Sequence, residues 1–475
     1  MILPALGAAL AFALAAPAAK GTDAARIAPG AADAALLLGG QDALLGVRGF
    51  FETAGQLAPT VNPTDLGRLI ERRLGVDLLA THAPLVPGAG EKIPWGLDGG
   101  PRAAVLLGRT LGFTGPVAKG SEAAARRALS AWLGQAGRSK KAGRAMAAGG
   151  GKSMRAGLVA PVQGGSRLLI ATGAEADKLV EMMSLVGKSR RPLSRRPELK
   201  AALAAAGSPA VLYLRGEGPV RAAVLSLHGA ARALSAKGVV LARAGALLQG
   251  PPLANAVCEG GPLLCARVGL GPGGKSLLAV LWKQWTDAAL GGPAAELLAR
   301  LIPKATAALT GPSALRLESV DLDRLASVSD PLWALSFTAL GLQAGFGPGD
   351  LPATLPRGVT RRGASLSLEG ERQLCLGLEE PRVSFGDRCG APDLPAAAAT
   401  GEADSTFFVD LPGLNAALAR ASPLSALRGS LPAGAFTGHL LFGRLLAASE
   451  PITGAARPSK SDPTAADVEL HWRLH

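Results

Sequence analysis

An apolar strand, a short turn and an amphipathic helix follow one another three times along this chain, and that order limits the folds open to it. The first copy is Ala34-Ala-Leu-Leu-Leu-Gly-Gly40 with a helical-period segment from Ala43 to Gly55. The second is Ala210-Val-Leu-Tyr-Leu214, then Gly216-Glu-Gly-Pro219, then Val220 to Leu234. The third is Thr406-Phe-Phe-Val-Asp-Leu411, then Pro412-Gly413, then Leu414 to Leu427. Each third part places apolar side chains at i, i+3, i+4 and i+7, which predicts a helix with one buried face.

Hairpin-like pairs and further helices fill the intervals. Leu158–Val162 and Arg167–Ala171 flank Gly164-Gly165, a dipeptide suited to a tight turn. Helices are predicted from Ser121 to Leu133 and from Gly173 to Val186, stopped by Gly134 and Gly187. A closing strand from Ala466 to His475 alternates Val468, Leu470, Trp472 and Leu474 onto one face. Together these predict an α+β fold: repeated strand-helix-hairpin units forming mostly antiparallel sheets packed with helices, in two or three subdomains. The expected divisions are 1–18 (signal peptide), 19–195, 196–305 and 306–475. The Pro-punctuated basic stretch Lys188–Lys200 marks the first internal boundary, and Ala136–Gly157 reads as a flexible basic loop.

The first charged side chain is Lys20, and the apolar run Leu3–Ala16 before it is shorter than the roughly 20 residues a membrane span needs. Its length fits the apolar region of a secretory signal, and Ala16-Pro17-Ala18 supplies small residues for cleavage before Ala19. No Lys or Arg precedes the run, and no lipid-attachment cysteine follows it; a buried first helix is the alternative reading. Cysteine usage agrees with export. The four cysteines fall in two close pairs, Cys258 with Cys265 and Cys375 with Cys389, each spanning a turn, as expected of disulfides formed in an oxidising compartment. The expected location is the periplasm or the exterior, with no transmembrane segment in the mature chain.

Hydrophobic residues make up 48% of the chain and charged ones 18%, which is enough to bury cores and excludes a disordered chain. Aromatics are only 4%, so stacked-ring sites for sugars or single-stranded nucleic acid have few residues to draw on. The net charge of +14 reads first as solubility in an Arg-rich chain and second as attraction to an anionic envelope polymer or lipid, with no specific nucleic-acid binding; the partner itself is left open. From Gln135 to Gly173 there is no acidic residue, while Arg138, Lys140, Lys141, Arg144, Lys152, Arg155 and Arg167 are cationic. Arg190, Arg191, Arg195 and Arg196 extend that basic half, which reads first as solvated loop and second as a polyanion surface.

Gly269-Leu-Gly-Pro-Gly-Gly274-Lys275-Ser276 matches the spacing of a phosphate-binding loop, whose glycine amides and following helix N-terminus would cradle phosphate. The apolar run Ser276–Trp282 serves as well for a returning strand, and Cys265 sits four residues upstream, so the reading preferred is a Gly-rich hairpin turn. Other catalytic patterns fail. There is no G-x-S-x-G, no S-x-x-K and no H-E-x-x-H, and His82, His228 and His439 are isolated. His471 and His475 lie about 13 Å apart along a strand, too far for one metal ion. No catalytic residue, cofactor or metal site is expected.

The strand, helix and hairpin order, with Gly96-Leu-Asp-Gly-Gly-Pro-Arg-Ala-Ala-Val-Leu-Leu-Gly108 leading a Gly-x-Asp turn into a buried strand, resembles a family of uncharacterised exported Ala- and Leu-rich bacterial proteins defined by a domain of unknown function. The resemblance implies export and brings no activity or site residues. The function expected is a non-enzymatic envelope protein acting as a binding or scaffold module. A carrier of lipid or other hydrophobic ligand is the first alternative, motivated by a mean hydropathy of +0.27, and a nucleotide-binding enzyme using 269–276 the second.

Overall fold

The computed structural model describes residues 21–57, 76, 86, 93–216, 218–289, 292–320, 335–368, 374–387, 404–419, 443–460 and 462–475. The signal segment 1–18 lies outside them. The chain divides into two compact units, Met1–Gly216 with Ala222–Val239, and Glu217–Arg221 with Val240–His475.

The first unit is built on an antiparallel meander. β1 (Ala34–Leu38) pairs on one side with β2 (Arg102–Leu107), which pairs with β3 (Thr110–Pro116). Outward from β2 and β3 lie β4 (Lys140–Ala142), β5 (Ala145–Ala148), β6 (Arg155–Val162) and β7 (Gly165–Thr172), in the order β3-β7-β6-β5-β4. On its other side β1 pairs with β8 (Ala210–Arg215), which pairs with β9 (Val220–Ala230); β10 (Ala233–Ala242) follows. The continuous apolar run of β1 reflects this central place, since Leu36, Leu37 and Leu38 are all buried.

α1 (Leu45–Leu57) follows β1. α2 (Glu122–Gly134) and α3 (Ala176–Ser184) lie on opposite faces of the β3-β7-β6 ribbon. The glycines beneath them show why: a Cβ on Gly157 would meet Leu129 of α2, and one on Gly112 would meet Leu179 of α3. α4 (Lys200–Ala205) follows the basic stretch, whose backbone is tied to the N-terminal segment by Leu193 N–H to Ala28 O and Gly30 N–H to Arg191 O.

The second unit strings β11 (Leu264–Gly269), β12 (Leu309–Val320), β13 (Leu335–Gln343), β14 (Val359–Arg362), β15 (Ser365–Leu368), β16 (Leu374–Gly377), β17 (Arg382–Gly386), β18 (Ser405–Val409), β19 (Ile452–Pro458) and β20 (Ala465–Arg473) into antiparallel ladders. Their order is β14-β15-β16-β17-β13-β12-β11-β18-β19-β20. A helical pair, α5 (Pro272–Ala289) and α6 (Gly292–Ala308), packs on the β13–β17 end. Its core joins Leu298, Leu301 and Ile302 to Leu366, Leu374 and Phe385, with Trp282 edge-on to Phe385 at 4.9 Å. α7 (Leu411–Ala419) follows β18, with Asp410 capping its first turn by accepting the Gly413 N–H at 3.0 Å.

The expected α+β class is overturned. Among the described residues the chain is mostly antiparallel sheet, 41% strand against 29% helix, with few helices. Two segments carry much of the difference. Val220–Leu234, expected as a helix, forms β9 and the start of β10. Its apolar residues satisfy both periods, and pairing along β8 from Arg215–Ala222 to Val211–Ser226 takes the two-residue one. Ala136–Gly157, expected as loop, contains the β4–β5 hairpin, because small polar-flanked residues tolerate an edge ladder that composition does not reveal.

Candidate functional site

The loop at 269–276 was expected as a hairpin turn, and the structure places a helix there. β11 ends at Gly269 and α5 begins at Pro272, which is the strand–turn–helix order a phosphate loop requires. Its amides are nevertheless spent. The segment 244–250 runs against the turn, so that Gly271 N–H donates to Leu247 O at 3.0 Å and Gly273 N–H to Ala246 O at 2.8 Å. Lys275 N–H donates to Gly271 O at 2.9 Å, and the Ser276 hydroxyl turns back onto Pro272 O at 3.1 Å. The glycines have a packing cause: a Cβ at Gly269, Gly271 or Gly274 would stand 2.3, 2.3 or 2.2 Å from a carbonyl oxygen of that segment. The sequence match arises from backbone meeting backbone, and carbonyl oxygens already engage the amides of Gly271, Gly273 and Lys275.

Cys258 and Cys265 are joined, with Cα atoms 5.7 Å apart. Cys258 ends a 3₁₀ turn, Asn255–Cys258, and Cys265 lies in β11, so the bond pins a short strap onto the sheet. Two arginines fix the same strap. Arg267, 3% exposed, donates to Leu253 O at 2.7 Å and to Thr406 Oγ1 at 3.0 Å; Arg316 donates to Val257 O at 2.7 Å. Leu253 and Val257 thereby close over Ala314 and Leu340. Cys375 is also disulfide-bonded, and its hairpin β16–β17 forms as expected; its expected partner Cys389 lies outside the described residues.

The opposite face of this sheet is different. Register places Phe337, Leu317, Leu264, Val409 and Ile452 in one row across five strands. Ala339, Leu315, Ala266, Phe407, Gly454 and Leu470 form the adjacent row across six. An antiparallel sheet with one solvated face normally alternates apolar inside with polar outside. Here the strap face carries Arg267 and Arg316, while neither row of the opposite face carries an ionisable side chain. α5 packs on the Phe337 and Ala339 end. Beyond it Leu264, Ala266, Leu317, Phe407 and Val409 are half-buried, and Leu315 is 44% exposed. Gly454 lets the Phe407 ring lie across the sheet, since a Cβ there would stand 2.1 Å from the ring. On α5 itself Val280 and Leu281 are also exposed, at 38% and 42%. Sequence reasoning missed this surface. Its signal was present: β11 and β18 are apolar at successive positions, so neither face was assigned to water.

The basic residues separate into two kinds. Arg155 stacks over Trp132 at 5.0 Å and donates to the Trp132 carbonyl at 2.7 Å. Arg167 is buried, donates to Thr114 Oγ1 and Pro101 O, and burial together with the charge of Arg102 pushes it down to about 10. Arg196 pairs with Glu198 at 2.8 Å and donates to the Tyr213 hydroxyl at 2.7 Å. Arg138, Lys140, Lys141, Arg144, Lys152, Arg190, Arg191 and Arg195 are exposed.

His471 shares its strand face with Glu469, 2.6 Å away, and the His475 N–H donates to Ala448 O at 2.7 Å. His82 and His439 lie outside the described residues. Among the described residues no group of three His, Cys, Asp or Glu could hold a metal ion, and no helix is long and apolar enough to cross a membrane.

No family model matches the chain, and no curated protein matches it. Two solved structures match about half of it. Crystal form IV of TP0453 is 11% identical, covering 48% of this chain and 81% of that one, with a TM-score of 0.26. Crystal form I of the same protein is 9% identical over 48% and 80%, with a TM-score of 0.25. Overlap that slight carries no argument about fold or function.

Proposed function

We propose that the chain is an exported, non-enzymatic binding protein of the cell envelope that holds a hydrophobic ligand, of the kind a lipid acyl chain presents, on the open apolar face of its second unit. The observation that carries this reading is the pair of uncharged rows that includes the exposed Leu315. A wide apolar face left half-open is a binding surface or an aggregation hazard, and a chain of this size rarely retains the second without the first. The strap held by Cys258–Cys265 supports the assignment, because it covers Ala314 and Leu340 on the other face while Leu315 on this one stays exposed. The disulfide is compatible with an oxidising compartment. The nucleotide reading is disfavoured by the engaged amides of 269–276.

Native mass spectrometry of the exported protein tests the ligand. A bound lipid is expected, as is saturable binding of a fluorescent fatty-acyl probe that Leu315→Glu weakens at least tenfold with the thermal midpoint retained. Absence of bound lipid, together with probe binding unchanged by Leu315→Glu, would sink the proposal.

A further inference from the structure

We infer that the β4–β5 hairpin of the first unit is a docking surface for an anionic lipid bilayer. This stands on observations separate from the apolar face of the second unit. Lys140 and Lys141 lie on β4, whose register pairs it with β5 alone among the described ladders, so both project from a sheet edge. Arg138 before the hairpin, Arg144 at its turn and Lys152 just after it are exposed as well. Among the described residues no ion pair or side-chain hydrogen bond engages these five, whereas Arg155 and Arg167 of the same stretch are held by hydrogen bonds to Trp132 O, Thr114 Oγ1 and Pro101 O. One carboxylate, that of Glu181, lies beside Gly143 at the hairpin tip.

Edge lysines alone have a simpler role, which is to deter strand pairing. That role requires neither Arg138 nor Lys152, which lie off the ladder, nor an apolar side chain among the cations. Met146 supplies one. It sits opposite Lys141 in register and is 39% exposed, while its neighbours Ala145 and Ala147 are buried and anchor the hairpin. Cations that meet phosphate beside an unbranched thioether that enters the interface match the layered chemistry of a bilayer surface. A soluble polyanion would use the cations and leave Met146 idle. Nucleic acid would ask for stacking rings, and residues 135–173 contain no aromatic.

The test is sedimentation of the full chain with phosphatidylcholine vesicles, with and without phosphatidylglycerol, beside binding to polyphosphate. Binding is expected only with phosphatidylglycerol and is expected to fall as salt is raised. Removing three charges as Lys140→Gln, Lys141→Gln and Arg144→Gln is expected to weaken it on the order of a hundredfold. The same loss of charge in the second unit, Arg357→Gln, Arg361→Gln and Arg362→Gln, is expected to change it less than threefold. Met146→Ser is expected to weaken vesicle binding several-fold and leave polyphosphate binding untouched. Equal loss in the two triple variants would overturn the assignment by tracing binding to net charge. Polyphosphate binding without vesicle binding, or vesicle binding indifferent to Met146, would overturn it in favour of a soluble polymer.

Discussion

Gly274 explains why a phosphate-loop spacing can occur without a phosphate loop. The residue is required because Leu247 O approaches to where a Cβ would be, and the same closeness consumes the amides that a nucleotide would need. Gly274→Ala is therefore expected to lower stability by about 1–3 kcal/mol in chemical denaturation, the cost of overpacking a close contact. ATP should not protect either protein against unfolding; protection lost in Lys275→Ala would reverse this reading. Asp462 shows a titration effect at the same scale. Hydrogen bonds from the Thr464 hydroxyl and N–H hold its carboxyl below the usual aspartate range. A carboxyl whose folded value is depressed contributes stability that is present above its unfolded value and lost as pH falls through the folded one. Thr464→Val is expected to move the Asp462 titration upward by NMR and to shrink the loss of stability at acid pH.

The helical and strand segments were legible where a single period dominated. Ala176–Ser184 has a 3.6-residue stripe and ends at Gly187, which adopts φ +80°, and it is a helix as expected. The β6–β7 hairpin turns at Gln163 and Gly164, both with positive φ, beside the expected Gly164-Gly165. Val220–Leu234 was not legible, because Ala, Val and Leu at nearly every position satisfy either period and the hairpin with β8 chose between them. The strap 253–258 belongs to this scale too. Replacing Cys258 and Cys265 by serine is expected to cost about 2–3 kcal/mol by the chain-entropy model, read as a shift in denaturation midpoint. Its more telling consequence is exposure of Ala314 and Leu340, which a hydrophobic dye should report. A variant with unchanged midpoint and no added dye binding would show that Arg267 and Arg316 suffice to hold the strap.

Across each unit, antiparallel ladders bring together residues far apart in sequence, and the candidate ligand surface arises only at this scale. Leu264, Leu315, Phe337 and Phe407 come from four strands spread over 264–409, and none is unusual in its own segment. The two faces of β12 make opposite predictions. Ala314, 6% exposed beneath the strap, should not tolerate a charge, and Ala314→Asp is expected to unfold the unit; Leu315→Glu, one residue on, should fold and lose only ligand. Export is the remaining whole-chain expectation, and N-terminal sequencing of the secreted product should begin at Ala19. An uncleaved product retained inside the cell would remove it.

The sequence by itself determined the local chemistry: which glycines would turn, that Cys258 and Cys265 stood close enough to pair, and where positive charge would gather. Those follow from neighbours a few residues apart, where covalent geometry and spacing decide. Only the tertiary structure decided that sheet would dominate over helix, that the glycines at 269–274 serve packing, that Arg155 and Arg167 are structural while the hairpin cations face water, and that a strap covers Ala314 and Leu340 on one sheet face while Leu315 stays exposed on the other. Each of these depends on which strand lies beside which. Antiparallel pairing between distant segments fixes that, and a chain so rich in Ala, Val and Leu fits many such pairings about equally well until its backbone hydrogen bonds select one.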